Sequence, residues 1–340
     1  MQALKQKYGL LLFGIIVGAS YGVGTRIFFG ERATLASITY LFLIPAVLGV
    51  VPFVFANDEQ VRSYRNIIFI PWITIVTFFV TATLAGMEEF LCLLVLAGPF
   101  FLLGTLGAFI VRLIILYRRS KKFLAVMFLP FLMSPVEEAI KSPSDIYTID
   151  SSVVIAASPE SVWNNIIEVP MIRDEEFKPG IFNRLGIPRP LSAVVTAKEK
   201  GATRIGSFDG GLRFVETLNE FEPKERVSFS IVVDPDSIGP RVFDQHVLNG
   251  NYFAFIDAGY DIADAGDGHV RLTLTSRYKL TSKVNFYGKL WGDMILEDFQ
   301  ERLLAVIQAR SERDVPGLYS TNEPLPERHE PHKLFSATLR

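Results

Sequence analysis

Apolar residues run almost unbroken through the chain as far as Val136, and from about Lys141 onward they alternate with polar ones. Four runs, 8–29, 33–56, 67–86 and 90–117, each approach or exceed the roughly 20 residues a helix needs to cross about 30 Å of hydrocarbon. Apart from Arg26 and Arg112 near run ends, charge falls in the breaks: Glu31 and Arg32, then Asp58, Glu59, Arg62 and Arg65, then Glu88 and Glu89. A fifth apolar segment, 123–136 (FLAVMFLPFLMSPV), is short for a span. It is flanked by Arg118, Arg119, Lys121 and Lys122 on one side and by Glu137 and Glu138 on the other, the charge asymmetry of a crossing. The second half reads differently. Strands are expected over 146–156, 191–198, 203–208, 212–221, 226–234, 252–262 and 269–280, separated by turn-forming runs such as Asp209-Gly210-Gly211 and Glu222-Pro223-Lys224-Glu225. Val227, Phe229, Ile231 and Val233 share one strand face, and Leu272, Leu274, Ser276, Tyr278 and Leu280 another.

Two helices complete the pattern. Ser158 stands as an N-cap, Pro159 as the first helical residue and Glu160 in the first turn, so a helix carrying Trp163, Ile166 and Ile167 inward follows the first strand. The last element, 284–310, places Phe286, Leu290, Met294, Phe299, Leu303 and Ile307 on one face. Its 27 residues would reach about 40 Å, enough to cross a sheet. The fold class that results is an α-helical transmembrane bundle followed by an α+β helix-grip domain, with a curved antiparallel sheet and a long C-terminal helix. The expected boundaries are an anchor of four to five helices at 1–140, a domain at 141–312 and a flexible tail at 313–340.

Composition adds exclusions. Mean hydropathy is +0.30 although 21% of residues are charged, a combination that segregation into two halves explains. A net charge of −2 supplies no basic field for nucleic acid. The single cysteine, Cys92, excludes an internal disulfide, and the four scattered histidines give no metal-ligand spacing, so no metal or cofactor is expected. Basic residues before the first run, between the second and third, and after the fourth place the N-terminus in the cytoplasm. With a fifth crossing the second half is extracytoplasmic. Gly14, Gly18 and Gly22 recur every four residues on one helix face; packing within the chain is the first expectation there, and a homodimer through that face the second. Nothing charged sits at mid-bilayer as a proton relay would require, so the bundle reads as an anchor.

The run SSVVIAASPESVWNNI at 151–166, with its strand leading into Ala-x-x-x-x-Val-Trp on a helix, resembles the opening of the START-related SRPBCC superfamily, the polyketide cyclase/dehydrase and lipid-transport group. The order strand, helix, six strands, long helix is similar over about 148–312, and the nearest likeness is to membrane-anchored bacterial members, which implies a bacterial inner membrane. The resemblance implies a deep cavity between sheet and C-terminal helix that holds an apolar or amphipathic ligand such as a lipid, quinone or polyketide-like molecule. It implies no shared catalytic set. Trp163, Phe229, Tyr278, Trp291, Met294 and Phe299 are the candidate lining residues, with core packing as their alternative. His246, near Arg241 and Asp244 in the long loop 234–251, reads first as a solvated histidine and second as a gate. No catalytic residue is singled out. A tethered ligand-binding protein is the leading expectation, ahead of a cyclase/dehydrase-type enzyme and of a regulatory protein that binds another protein.

Overall fold

A computed structural model describes residues 2–30, 37–118 and 122–313. Its first half is helical. Helix α1 spans Gln2–Phe29. A π turn at Thr39–Leu43, helix α2 at Ile44–Val50 and a 3-10 turn at Val51–Val54 follow one another directly. A short helix α3 (Asp58–Arg62) leads to α4 (Tyr64–Leu84) and α5 (Phe90–Arg118). Three helices, Gly9–Phe29, Tyr64–Leu84 and Phe90–Tyr117, are long and apolar enough to cross a membrane, and Thr39–Val54 is a shorter apolar helix. The expected run at 33–56 is therefore curtailed. Pro45 and Pro52 each remove a backbone donor, and the helical path adjusts through π and 3-10 turns at their sides. Residues 31–36 lie outside the described residues.

The segment at 123–136 is also not one regular helix. It is a 3-10 stretch, Lys122–Phe128, running into α6 (Leu129–Ala139). The 3-10 stretch packs on Val51–Val54. Farther along, Tyr21 Oη donates to the Met127 carbonyl at 2.7 Å, and Phe131 meets Tyr21, Phe28 and Phe29. At its end the Glu137 carboxylate accepts from the Ile38 and Thr39 backbone N–H groups at 2.6 and 2.9 Å. The segment thus retraces α1 toward its Phe29 end. Gly14, Gly18 and Gly22 face Pro52, Thr74 and Phe78 of the same chain, so the small-residue face receives α4 and the end of the α2 run.

The second half forms a seven-stranded antiparallel sheet. Strand β1 (Ser144–Ile155) is followed by α7 (Pro159–Ile167) and a short α8 (Ile181–Arg184). Then come β2 (Pro190–Val195), β3 (Thr203–Phe208), β4 (Arg213–Glu222) and β5 (Arg226–Val233). Helix α9 (Val242–Leu248) precedes β6 (Phe253–Gly266), β7 (His269–Thr281) and α10 (Asn285–Arg313). Spatial order is β1-β7-β6-β5-β4-β3-β2, so the first two strands lie at opposite edges and α7 and α8 bridge between them. Ser158 caps α7 as its sequence position requires, accepting from the Ser161 N–H at 3.2 Å. The alternating residues predicted to face inward on β7 are all buried, Leu272 and Tyr278 fully.

Helix α10 crosses this sheet and is stitched to it through Gln300, which is fully buried. Ser151 Oγ donates to Gln300 Oε1 at 2.8 Å, and Gln300 Nε2 donates to Ser276 Oγ at 2.9 Å. The predicted apolar stripe of α10 splits: Leu303 and Ile307 pack in the domain core, whereas Phe286 and Leu290 are exposed. Those two lie in the turns beside the bundle, where Tyr287 Oη donates to the Val95 carbonyl and Val284 joins the bundle's own core. The domain is therefore packed on the Phe29 end of the bundle. The starts of α1 and α4 and the end of α5, with Lys5, Lys7, Arg65 and Arg118, lie at the other end.

Candidate functional site

Between the sheet and α10 lies a cavity of about 260 Å³. Residues of α10 from Tyr287 to Leu303 line it. At 1.5 Å per residue that wall is about 24 Å long. Its lining is apolar through Phe208, Phe214, Phe229, Ile231, Phe255 and Phe299. Val95 of α5 closes one end, so a helix of membrane-spanning length supplies part of the wall.

Toward the other end, Arg204 and Glu216 stand opposite one another on β3 and β4. They form a buried ion pair, and the guanidinium also donates to the Ile166 and Ile167 carbonyls at 3.2 Å each and lies 4.9 Å from the centre of the Phe229 ring. Each of the three guanidinium nitrogens is thereby engaged by the chain itself, through three of its five N–H donors, and the charge is neutralised by Glu216.

The end beside α5 is different. Among the described residues, none pairs with Asp244 Oδ1, Tyr252 Oη or Trp291 Nε1, all buried atoms of residues in the cavity wall. Each residue borders the start of α5: Asp244 feels the charge of Glu89, Tyr252 that of Glu88, and Trp291 packs with Leu91 and Cys92. Burial pushes the Asp244 carboxyl up, opposed by the nearby Arg241 guanidinium, and pushes the Tyr252 phenol up as well. The Tyr287 hydroxyl donates to Val95 and keeps its acceptor lone pairs near the Trp291 indole, but no hydrogen bond of good geometry joins the two.

Helix α9 supplies Asp244, Val247 and Leu248 to this wall and is tied to the bundle. The long loop expected at 234–251 is thus interrupted by a helix, whose apolar pairs, Val242-Phe243 and Val247-Leu248, carry a short helical period. His246 is half-buried against the bundle rather than free in solvent. Its Nε2 lies 3.4 Å from an Arg26 nitrogen, and Arg26 Nε donates to Glu88 Oε1 at 2.8 Å. Arg241 pairs with Glu89 at 3.2 Å. Tertiary packing also brings the ligating atoms of Glu88, Cys92 and His246 within 4.8 Å of one another, which no spacing in the sequence announces. The Arg26 guanidinium already neutralises Glu88, so a divalent cation would enter beside a buried positive charge. The cluster is built as a charge-paired joint between bundle and domain.

Of the six residues singled out from sequence, Phe229, Trp291 and Phe299 line the cavity and three do not. Trp163 packs edge-on to Phe221 in the core beneath α7. Tyr278 is held behind α10 by a 2.6 Å hydrogen bond to Asp293, beneath Gly292, where a side chain would come within about 3.0 Å of the phenol. Met294 joins Leu91, Cys92 and Phe182 at the junction with the bundle. Their helical or strand spacing made them apolar-facing, and it did not distinguish the cavity wall from the core around it. Asp244, Tyr252 and Val95 were not singled out. Arg277 and Arg213 are ion-paired at the surface with Asp257 and Asp234.

No family model and no curated protein matches the chain. Solved structures do. An aromatase/cyclase from a Streptomyces species is 11% identical, covering 51% of this chain and 99% of its own at a TM-score of 0.33. Norcoclaurine synthase from Thalictrum flavum is 12% identical, with 51% and 90% covered and a TM-score of 0.32. A protein from Rhizobium leguminosarum is 13% identical, with 52% and 100% covered and a TM-score of 0.32.

Proposed function

We propose that this chain is a membrane-anchored protein that takes a hydrophobic or amphipathic molecule from the bilayer into the cavity between its sheet and α10. One observation carries the reading: an apolar cavity whose wall includes Val95 of an apolar helix of spanning length. Tethering keeps the site at the bilayer, so modest intrinsic affinity suffices. The domain is taken to be extracytoplasmic, because it packs at the end of the bundle opposite the basic residues of α1, α4 and α5.

The test uses the full chain purified in mild detergent. Native mass spectrometry and solvent extraction should find a co-purifying apolar molecule at one per chain. Ile231→Trp, which fills the cavity, should abolish it at an unchanged melting temperature. A cavity that stays empty and admits no apolar probe refutes the reading. For the side, Glu199→Cys on the exposed β2–β3 turn should react with an impermeant maleimide added outside intact cells; Cys92, fully buried, gives the low background.

A second reading, acid–base chemistry on a polyketide-like substrate, draws on Asp244, a buried carboxyl raised by desolvation in a wall that also holds the unpartnered Tyr252 hydroxyl. Turnover of a bound molecule that Asp244→Asn abolishes without weakening binding would favour it.

A further inference from the structure

A ligand drawn from the bilayer leaves one apolar medium for another, so burial of its tail selects little. Selection then rests on the polar atoms of the wall. At the α5 end the wall offers one acceptor, Asp244 Oδ1; one donor, Trp291 Nε1–H; and one group that does both, Tyr252 Oη. A carboxylate or phosphate monoanion brings acceptors toward a carboxylate that needs a donor. An ammonium brings only donors and leaves the indole unanswered. A hydroxyl donates and accepts, and it carries no charge to desolvate.

We propose that the cavity is selective for uncharged amphiphiles with a hydroxyl headgroup, held at the α5 end by Asp244, Tyr252 and Trp291, with the apolar tail directed toward Phe229. The assignment rests on the ligand-binding reading of the same cavity. Asp244 is 6% exposed and belongs to α9, which the Arg241–Glu89 pair fixes to the bundle, so the acceptor is held in place before any ligand arrives. At the opposite pole of the cavity the charges of Arg204 and Glu216 already cancel, so that pole offers no net charge to a competing headgroup.

The experiment titrates the full chain in detergent with 1-dodecanol, dodecanoate and dodecylamine, which share one tail, and reads occupancy by native mass spectrometry. The alcohol is expected to bind at least about tenfold more tightly than either charged probe, the equivalent of one well-made hydrogen bond. Asp244→Asn, whose amide can donate to an anion, should bring dodecanoate to within about threefold of the alcohol. Tyr252→Phe should weaken the alcohol and leave dodecanoate where it was. Melting temperatures of both variants report whether the fold is intact. If a charged probe binds as tightly as the alcohol, or Asp244→Asn leaves the ratio unchanged, the headgroup assignment is overturned while the cavity reading stands. If no probe binds the wild-type chain, the cavity reading falls and this assignment with it.

Discussion

Removing the charge of Glu216 should cost more stability than removing the whole Arg204–Glu216 pair. Both side chains are under a tenth exposed, and Arg204 ties β3 and β4 to the last turn of α7 through the Ile166 and Ile167 carbonyls. Glu216→Gln leaves a buried guanidinium without its counter-charge, a change that costs about 3–5 kcal/mol. In the double variant Arg204→Met, Glu216→Leu no charge remains, and replacing such a pair by apolar groups gains up to about 4 kcal/mol. Against that, two carbonyls lose their donors at about 1–3 kcal/mol each. The gain and the loss roughly offset, so the double variant should lie within about 2 kcal/mol of wild type, above the single one. Urea titration of the detergent-solubilised chain, followed by the β-sheet circular dichroism signal, measures both. Glu216→Gln falling within about 1 kcal/mol of wild type would refute the reasoning, since it would mean that water or another anion already compensates Arg204.

Three further outcomes are expected. Glu176 accepts from Arg310 at 2.9 and 3.2 Å and from the Arg173 N–H at 3.0 Å, which together hold its carboxyl at about 2 despite partial burial. Its folded pKa lies below the unfolded one, so its contribution is complete above about pH 5 and fades as pH falls toward 2; Glu176→Gln should cost on the order of 2–3 kcal/mol at pH 7 and nothing near pH 2, read from melting curves across pH. Gly14→Leu would drive a side chain into the Pro52 carbonyl, 2.8 Å from the position of a Cβ, and should lower the melting temperature of the bundle in detergent. An unchanged melting temperature would mean α1 does not pack there. Val95→Trp should plug the α5 end of the cavity and reduce uptake of an apolar probe from vesicles at least about tenfold; unchanged uptake would place the entrance elsewhere.

Periodicity along the chain was enough for the element order, because each element's apolar spacing reflects a face that must be buried wherever the element ends up. Ser158 and Pro159 fix the start of α7, and the alternation Leu272–Leu274–Ser276–Tyr278–Leu280 fixes the inner face of β7, both by local geometry. Burial alone does not say what a side chain is buried against. Phe229 and Trp163 are equally apolar in pattern, yet one faces the cavity and the other solid core. Likewise the stripe on α10 continues through Phe286 and Leu290, which pack on neither sheet nor bundle and stay exposed beside the Tyr287 contact with α5.

The sequence by itself determined the division into an apolar helical half and a β-rich half, the sheet faces and the long closing helix, since these follow from composition and from periods of 3.6 and 2. Only the tertiary structure decided that α9 meets the bundle. There Arg26, Glu88, Cys92 and His246 gather from positions up to 220 residues apart, and Asp244, Tyr252 and Trp291 are left as unpaired polar atoms in an apolar wall. Such a site is an arrangement between elements, set by how two halves dock, and no local spacing encodes it.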